Sequence, residues 1–128
     1  MEQPGGLPRL RALMASWLSY LEREVFPGGC FLTAASIEFD DRPGPVRDAI
    51  AAAWGRWLDV IEREVATAQA HAQLVARDAS PRQIAFQLHA YVTAGNFAKQ
   101  LFRDTEALEA SRVAIERLLT EATPQRRP

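Results

Sequence analysis

The sequence predicts an all-α domain, and three observations indicate this fold class. Alanine is abundant, the long segments lack runs of β-branched residues, and apolar residues recur every three to four positions. The chain has 128 residues, the size of one domain, and 48% of them are hydrophobic, enough to build a core. We expect about five helices packed as an antiparallel bundle.

The first three helices are predicted from apolar stripes and from the residues that break them. An apolar stripe extends over residues 8–25, and Pro27 and the two glycines after it end that helix. A short second helix is expected over residues 29–39. Pro45 suits the first position of the third helix, over residues 45–72 and roughly 40 Å long at about 1.5 Å per residue.

The fourth helix has the clearest start. Ser80, Pro81 and Gln83 have the order of a capping box with proline at the first helical position, and the helix should extend to about residue 102 or 103. Asp104 is expected to cap a fifth helix that frays near residue 121. The predicted domain therefore covers residues 7–121, between disordered tails at 1–6 and 122–128.

The fourth helix has more apolar surface than a monomer needs. One face is suited to the core, and Phe86, Ala90, Phe97 and Leu101 lie nearly opposite to it. A second subunit covering this face, with help from Leu108, Ile115 and Leu119 of the fifth helix, explains the pattern. The alternative is a central helix in a monomeric bundle.

Charge and cysteine content exclude several classes of protein. Fifteen Lys and Arg against sixteen Asp and Glu give a net charge of −1, which argues against a dedicated nucleic-acid binder. No apolar run reaches the roughly 18–20 residues of a membrane span, and the N-terminus lacks signal-peptide features. Cys30 is the only cysteine, which rules out an intramolecular disulfide. We expect a cytoplasmic protein with no membrane contact.

The residues that could act in catalysis or bind a metal do not form a catalytic set. His71 and His89 fall on different helices and in no metal-binding spacing, and no glycine-rich phosphate loop is present. Cys30 is near a helix N-terminus, where a thiolate is favoured, but a buried cysteine packs as a small hydrophobe. We therefore predict no catalytic residue, no metal and no cofactor.

The aromatic residues point to a ligand cavity between the first, third and fourth helices. Trp17, Trp54, Trp57 and Tyr91 could form its walls, and polar residues on the fourth helix could orient a ligand. The predicted ligand-binding set is Trp17, Phe31, Trp54, Trp57, His89, Tyr91 and Asn96. The alternative is that the aromatics fill the core and the polar residues are solvated or bonded across a dimer.

Several segments together resemble the C-terminal regulatory domain of TetR-family transcriptional regulators. They are Pro27-Gly28-Gly29-Cys30-Phe31-Leu32, then Glu38-Phe39, then Arg42-Pro43-Gly44-Pro45-Val46-Arg47-Asp48, with Trp57, Ala85-Phe86 and the last helix. The resemblance covers about residues 7–119.

The resemblance implies a domain that senses a small, partly apolar effector and forms a homodimer. In the family, the last two long helices of each subunit make a four-helix bundle, and the preceding helices enclose the effector. The family reads DNA with an N-terminal helix-turn-helix, which residues 1–6 are too few to form, so any DNA contact needs a segment that this sequence lacks. The chain is either a fragment or a free-standing domain. The alternative function is a helical dimerisation or interaction module without ligand or catalysis.

Overall fold

The computed structural model describes residues 3–74 and 78–120, and this part of the chain forms five α-helices without a strand. The helices are α1 (Leu7–Glu22), α2 (Phe31–Phe39), α3 (Pro45–Ala70), α4 (Pro81–Phe102) and α5 (Ala107–Thr120). The predicted all-α class with five helices is confirmed. The predicted tail at 122–128 lies outside the described residues. Within 3–74 and 78–120, no helix is both long and apolar enough to cross a membrane.

The helix ends follow local chemistry, with differences of a few residues from the prediction. The Ser80 side chain accepts the Gln83 N–H at 3.1 Å, as a capping box requires. α1 ends three residues early, at Glu22, and Glu24 takes a left-handed φ of 51°. α5 starts at Ala107, because the Asp104 carboxylate instead accepts the Glu106 N–H at 2.8 Å and closes a turn ahead of the helix.

The first turn of α1 is capped from α3 and the segment that follows it. The Gly6 N–H donates to Glu64 Oε2 at 2.6 Å, and the Leu7 N–H donates to Gln73 Oε1 at 3.0 Å. Arg9 pairs with the same carboxylate at 3.1 Å. These contacts satisfy amide groups that a helix start leaves without partners. Gly6, which the prediction placed in the N-terminal tail, is buried.

The core lies between α1, α3, α4 and α5. Its largest fully buried side chains are Leu10, Met14, Leu18, Leu21, Ile61, Val65, Leu74, Ile84, Leu88, Val92 and Leu119. α4 packs against α3, α5 and α1, whereas α2 packs mainly against α3. α2 therefore lies at the edge of the bundle, outside the main core.

The structure corrects the predicted role of α5. Leu108, Ile115 and Leu119 were assigned to a dimer interface, but they lie in the core of the same chain, exposed by only 5%, 4% and 1%. The physical reason is that the apolar stripe of α5 faces α4 and α1. Periodicity shows that a helix face is covered, and it does not show which chain covers it.

α4 and α5 pack closely because Gly95 has no side chain. A Cβ atom at Gly95 would collide with Ser111 Oγ and would lie 3.3 Å from Leu108 Cδ2. The Ser111 hydroxyl donates to the carbonyl oxygen of Tyr91 at 2.7 Å. This bond across the crossing fixes the position of α5 along α4.

Candidate functional site

Three tryptophans and one histidine form a cluster of touching rings, which we call the aromatic cluster: Trp17 of α1, Trp54 and Trp57 of α3, and His89 of α4. The Trp17 ring centroid lies 5.8 Å from that of Trp54 and 5.5 Å from that of Trp57. The His89 ring stands edge-on to Trp54 at 4.7 Å and lies 5.9 Å from Trp17. Tilted and edge-to-face contacts at these distances are favourable. Four of the seven residues predicted to bind a ligand therefore lie together.

Beside the cluster lies an open groove of about 350 Å³, which we call the aromatic groove. The residues that define it are Trp17, Tyr20, Cys30, Leu32, Trp54 and Trp57. The sequence predicted a cavity between the first, third and fourth helices. The structure instead forms this space from α1, α3 and the start of α2. Cys30 and Leu32 belong to it because the chain from α1 to α2 folds back toward the tryptophans.

His89 is half-buried, and this burial lowers the pKa of its imidazole, because desolvation disfavours the charged ring. The ring packs against Trp17 in a tilted contact and against Trp54 in an edge-on contact. On its other side it borders a cleft of about 380 Å³ between α3 and α4, which also includes Leu58 and Phe86. His89 thus lies between the tryptophans of the cluster and this cleft.

A short hydrogen-bond chain ties α2 to the aromatic cluster. The Trp54 Nε1–H donates to Ser36 Oγ at 2.6 Å, and the Ser36 hydroxyl donates to the carbonyl oxygen of Leu32, also at 2.6 Å. Sequence reasoning did not select Ser36. The need of a partly buried tryptophan N–H for an acceptor was the available clue, but it did not identify the acceptor.

α2 is apolar, yet none of its nine residues is buried by the described part of the chain. Six of the nine are Phe, Leu, Ala or Ile. A second open groove, of about 790 Å³, runs between α2 and the start of α3 and is bordered by Phe31, Leu32, Phe39, Pro45, Val46 and Ile50. We call it the α2–α3 groove. Leu32 borders both grooves, so the two adjoin along α2. Phe31, predicted to contact a ligand, is 62% exposed and belongs to this second groove.

Tyr91 and Asn96 do not join the aromatic cluster, contrary to the sequence prediction. Tyr91 is two residues after His89, about 200° around the helix, and it borders a cleft between α4 and α5. Asn96 shares the His89 side of α4, but it lies two turns further along. There its Oδ1 accepts the Cys30 N–H at 3.0 Å. Asn96 is buried and holds backbone, where a ligand contact was predicted.

Cys30 is a buried thiol at the boundary of the aromatic groove. It is the residue before α2, and its extended backbone gives its N–H to Asn96. Its burial and its apolar neighbours suit a small packed side chain. Among the described residues, no three His, Cys, Asp or Glu side chains come close enough to hold a metal ion.

The outer side of α4 carries an exposed apolar surface, which we call the α4 face: Phe86, Phe97, Leu101 and Phe102. Phe86, Phe97 and Leu101 were predicted to lie on this surface, and they are 66%, 54% and 62% exposed, whereas Ala90 is partly covered. Phe102 was not predicted there. Phe102 belongs because its ring packs edge-on against Phe97 at 5.6 Å.

A family model described as the tetracyclin repressor-like C-terminal domain matches residues 6–115 of the 128-residue chain. The matched region begins at the capped start of α1 and ends within α5. It contains the aromatic cluster, both grooves, Asn96 and the α4 face. No curated protein matches the sequence.

Proposed function

Because this chain belongs to the family of tetracyclin repressor-like C-terminal domains, and so is the regulatory domain of a TetR-type regulator, we propose that it senses a small, partly apolar effector as a homodimer. The effector binds along α2, and the α4 face forms the dimer. Binding shifts the population of helix arrangements in the dimer, which is the regulatory output.

One observation supports the effector site: none of the residues of the apolar helix α2 is buried by the described part of the chain, and two grooves border this helix. Exposed Phe31, Ile37 and Val46 leave apolar surface in water. Each 100 Å² of such surface that an effector covers contributes about 2.5 kcal/mol to binding. A helix of this kind is stabilised when a ligand fills the space beneath it.

The lining of the grooves defines the chemical class of effector. Tryptophan faces and edges favour a flat or aromatic group in the aromatic groove. The Tyr20 hydroxyl, which lies 3.4 Å from the Phe31 amide nitrogen, offers a polar contact at the rim. The α2–α3 groove suits a longer apolar portion, since its side chains are almost all apolar. The expected effector therefore has an aromatic part, an apolar part and few charges.

The dimer proposal rests on the α4 face and on the cleft beside it. Ala94, Ala98, Ala110 and Ala114 line a cleft of about 280 Å³ between α4 and α5. These small side chains allow a partner helix to approach closely, while the flanking Phe97 and Leu101 supply large apolar surface. A two-fold dimer uses the same patch on both copies, so the phenylalanines of one copy meet the alanine cleft of the other.

Tryptophan fluorescence tests the effector site directly, because all three tryptophans of the chain lie in the aromatic cluster. The probe is 8-anilinonaphthalene-1-sulfonate, a small aromatic anion. We expect saturable quenching of tryptophan emission by this probe in the native chain. Leu32→Glu, at the junction of the two grooves, should weaken the apparent affinity at least tenfold.

Phe97→Glu is the matched control, because it adds the same charge on the α4 face, away from the grooves. It should change the affinity of the probe far less than Leu32→Glu does, while weakening the dimer. If Leu32→Glu binds the probe as the native chain does, the effector site is misassigned.

The openness of both grooves favours a second candidate function, a helical dimerisation or interaction module without a small-molecule ligand. The same titration separates the two functions. A module of this kind predicts weak, non-saturating quenching that Leu32→Glu does not change.

A further inference from the structure

Asn96 is one of two buried polar side chains among the described residues, and it connects α4 to the chain that precedes α2. Its Oδ1 accepts the Cys30 N–H at 3.0 Å, across 66 residues of sequence. A hydrogen bond between buried groups is directional, and an unpaired buried N–H is unfavourable. The contact between Asn96 and the Cys30 N–H therefore has two distinct states, one with the hydrogen bond formed and one with it broken.

The segment 23–30, between α1 and α2, is shaped to fit this contact. Gly29 has a left-handed φ of 83°, and a Cβ atom there would collide with Asn96 Oδ1 and lie 2.9 Å from Gln100 Cγ. Lys99 Nζ pairs with Glu24 Oε1 at 3.0 Å. Neighbouring side chains of α4 thus hold both ends of the segment. The arrangement admits glycine at position 29 and disfavours every larger residue.

The hydrogen bond from the Cys30 N–H to Asn96 lies between the aromatic groove and the α4 face. Cys30 is the residue before α2 and borders the aromatic groove, so a movement of Cys30 changes the groove. Phe97, the residue after Asn96, is on the α4 face. His89 also contacts Trp17 and Trp54 beside the groove from α4, but it does so through ring contacts and not through a hydrogen bond. Asn96 provides a directional bond.

We propose that Asn96 is the positioning residue that couples occupancy of the aromatic groove to the position of α4 and hence to the dimer. This inference rests on the proposed function, since it joins the effector site to the dimer face. An effector that displaces Cys30 stretches or breaks the bond, and α4 then settles in a different position. A two-state contact that both sites bias is what an allosteric coupling requires.

The test measures a coupling factor, the ratio of the dimer dissociation constants with and without saturating 8-anilinonaphthalene-1-sulfonate, by analytical ultracentrifugation. We expect a ratio of at least about fivefold, in either direction, for the native chain. In Asn96→Ala the ratio should fall to within twofold of unity. Asn96→Asp, which keeps an oxygen acceptor for the Cys30 N–H, should retain most of the coupling.

Two further variants keep the test decisive. Gly29→Ala disturbs the contact from the loop side without changing α4 and should also abolish coupling, which covers the case of Asn96→Ala failing to fold. Thr93→Ala is the control, because the Thr93 hydroxyl bonds to the carbonyl oxygens of His89 and Ala90 in its own helix, and its coupling should match the native value.

The outcomes distinguish this inference from the proposed function. A native chain that does not bind the probe, or that stays monomeric, contradicts the proposed function itself. A native chain that binds and dimerises with a coupling factor of one contradicts the role of Asn96 alone. So does native-like coupling in folded Asn96→Ala and Gly29→Ala.

Discussion

The Nε1–H of Trp54 donates to Ser36 Oγ at 2.6 Å, and this contact joins the aromatic cluster on α3 to α2. It is a specific polar attachment for a helix none of whose residues is buried by residues 3–74 and 78–120. The position of α2 beside the two grooves therefore depends on a few contacts, and each of them can be tested by mutation.

Ser36→Ala removes the acceptor for Trp54. We expect the free energy of unfolding in urea to fall by about 1 kcal/mol. This is the lower end of the cost of leaving a buried donor without an acceptor, because both residues are only partly buried. Native tryptophan emission should also shift to the red as α2 loosens. Thr67→Ala is the control, since its hydroxyl bonds to the Arg63 carbonyl within α3. Equal stability of the two variants would show that the Trp54 contact does not hold α2.

Gly95→Ala should disrupt the crossing of α4 and α5. The new methyl group meets Ser111 and Leu108, so we expect a loss of about 1–3 kcal/mol in thermal or urea unfolding. Gly55→Ala is the matched control in α3, because a Cβ atom there meets nothing within 4 Å. It should stabilise the helix by about 0.5–1 kcal/mol. The prediction fails if both variants change stability in the same direction.

His89 should make stability depend on pH. Burial lowers its pKa in the folded chain below the usual value of about 6.5, so the unfolded chain binds the extra proton first. The contribution of neutral His89 is complete above about pH 6.5 and is lost as the pH falls toward its folded-state pKa. The free energy of unfolding of the native chain should therefore drop more steeply between about pH 7.5 and 5 than that of His89→Gln.

A His89→Gln pH profile that is parallel to that of the native chain would mean that the half-buried imidazole does not contribute.

The sequence predicted what local patterns determine. Ser80 and Gln83 specify the start of α4, and the stripes of α1 and α3 bring Trp17 and Trp54 to one side of the bundle. The sequence did not indicate contacts that depend on distant partners. Asn96 shares a helix side with His89, but it meets the Cys30 N–H, which is 66 residues away.

The apolar stripe of α5 is a second case in which a distant partner decides the outcome. Ile115 has the helical spacing of a covered residue, and it was predicted to face a second subunit. α4 and α1 of the same chain cover it instead. The spacing of α5 is the same for either partner, so the sequence did not distinguish them.

The α4 face shows the converse case. Phe97 and Leu101 were predicted on a surface opposite to the core because their helical angles differ from those of Ile84 and Leu88, and angle alone determines that. What covers the surface depends on a second molecule. The dimer therefore stays a prediction.

The most direct measurement is sedimentation equilibrium of the native chain and of Phe97→Glu at tens of micromolar. We expect the native chain to have twice its 14.2 kDa mass, and Phe97→Glu to have the monomer mass with unchanged helicity. Phe26→Glu, an exposed phenylalanine outside the α4 face, should remain dimeric. A native monomer, or a Phe97→Glu dimer of native strength, would contradict the proposed dimer through the α4 face.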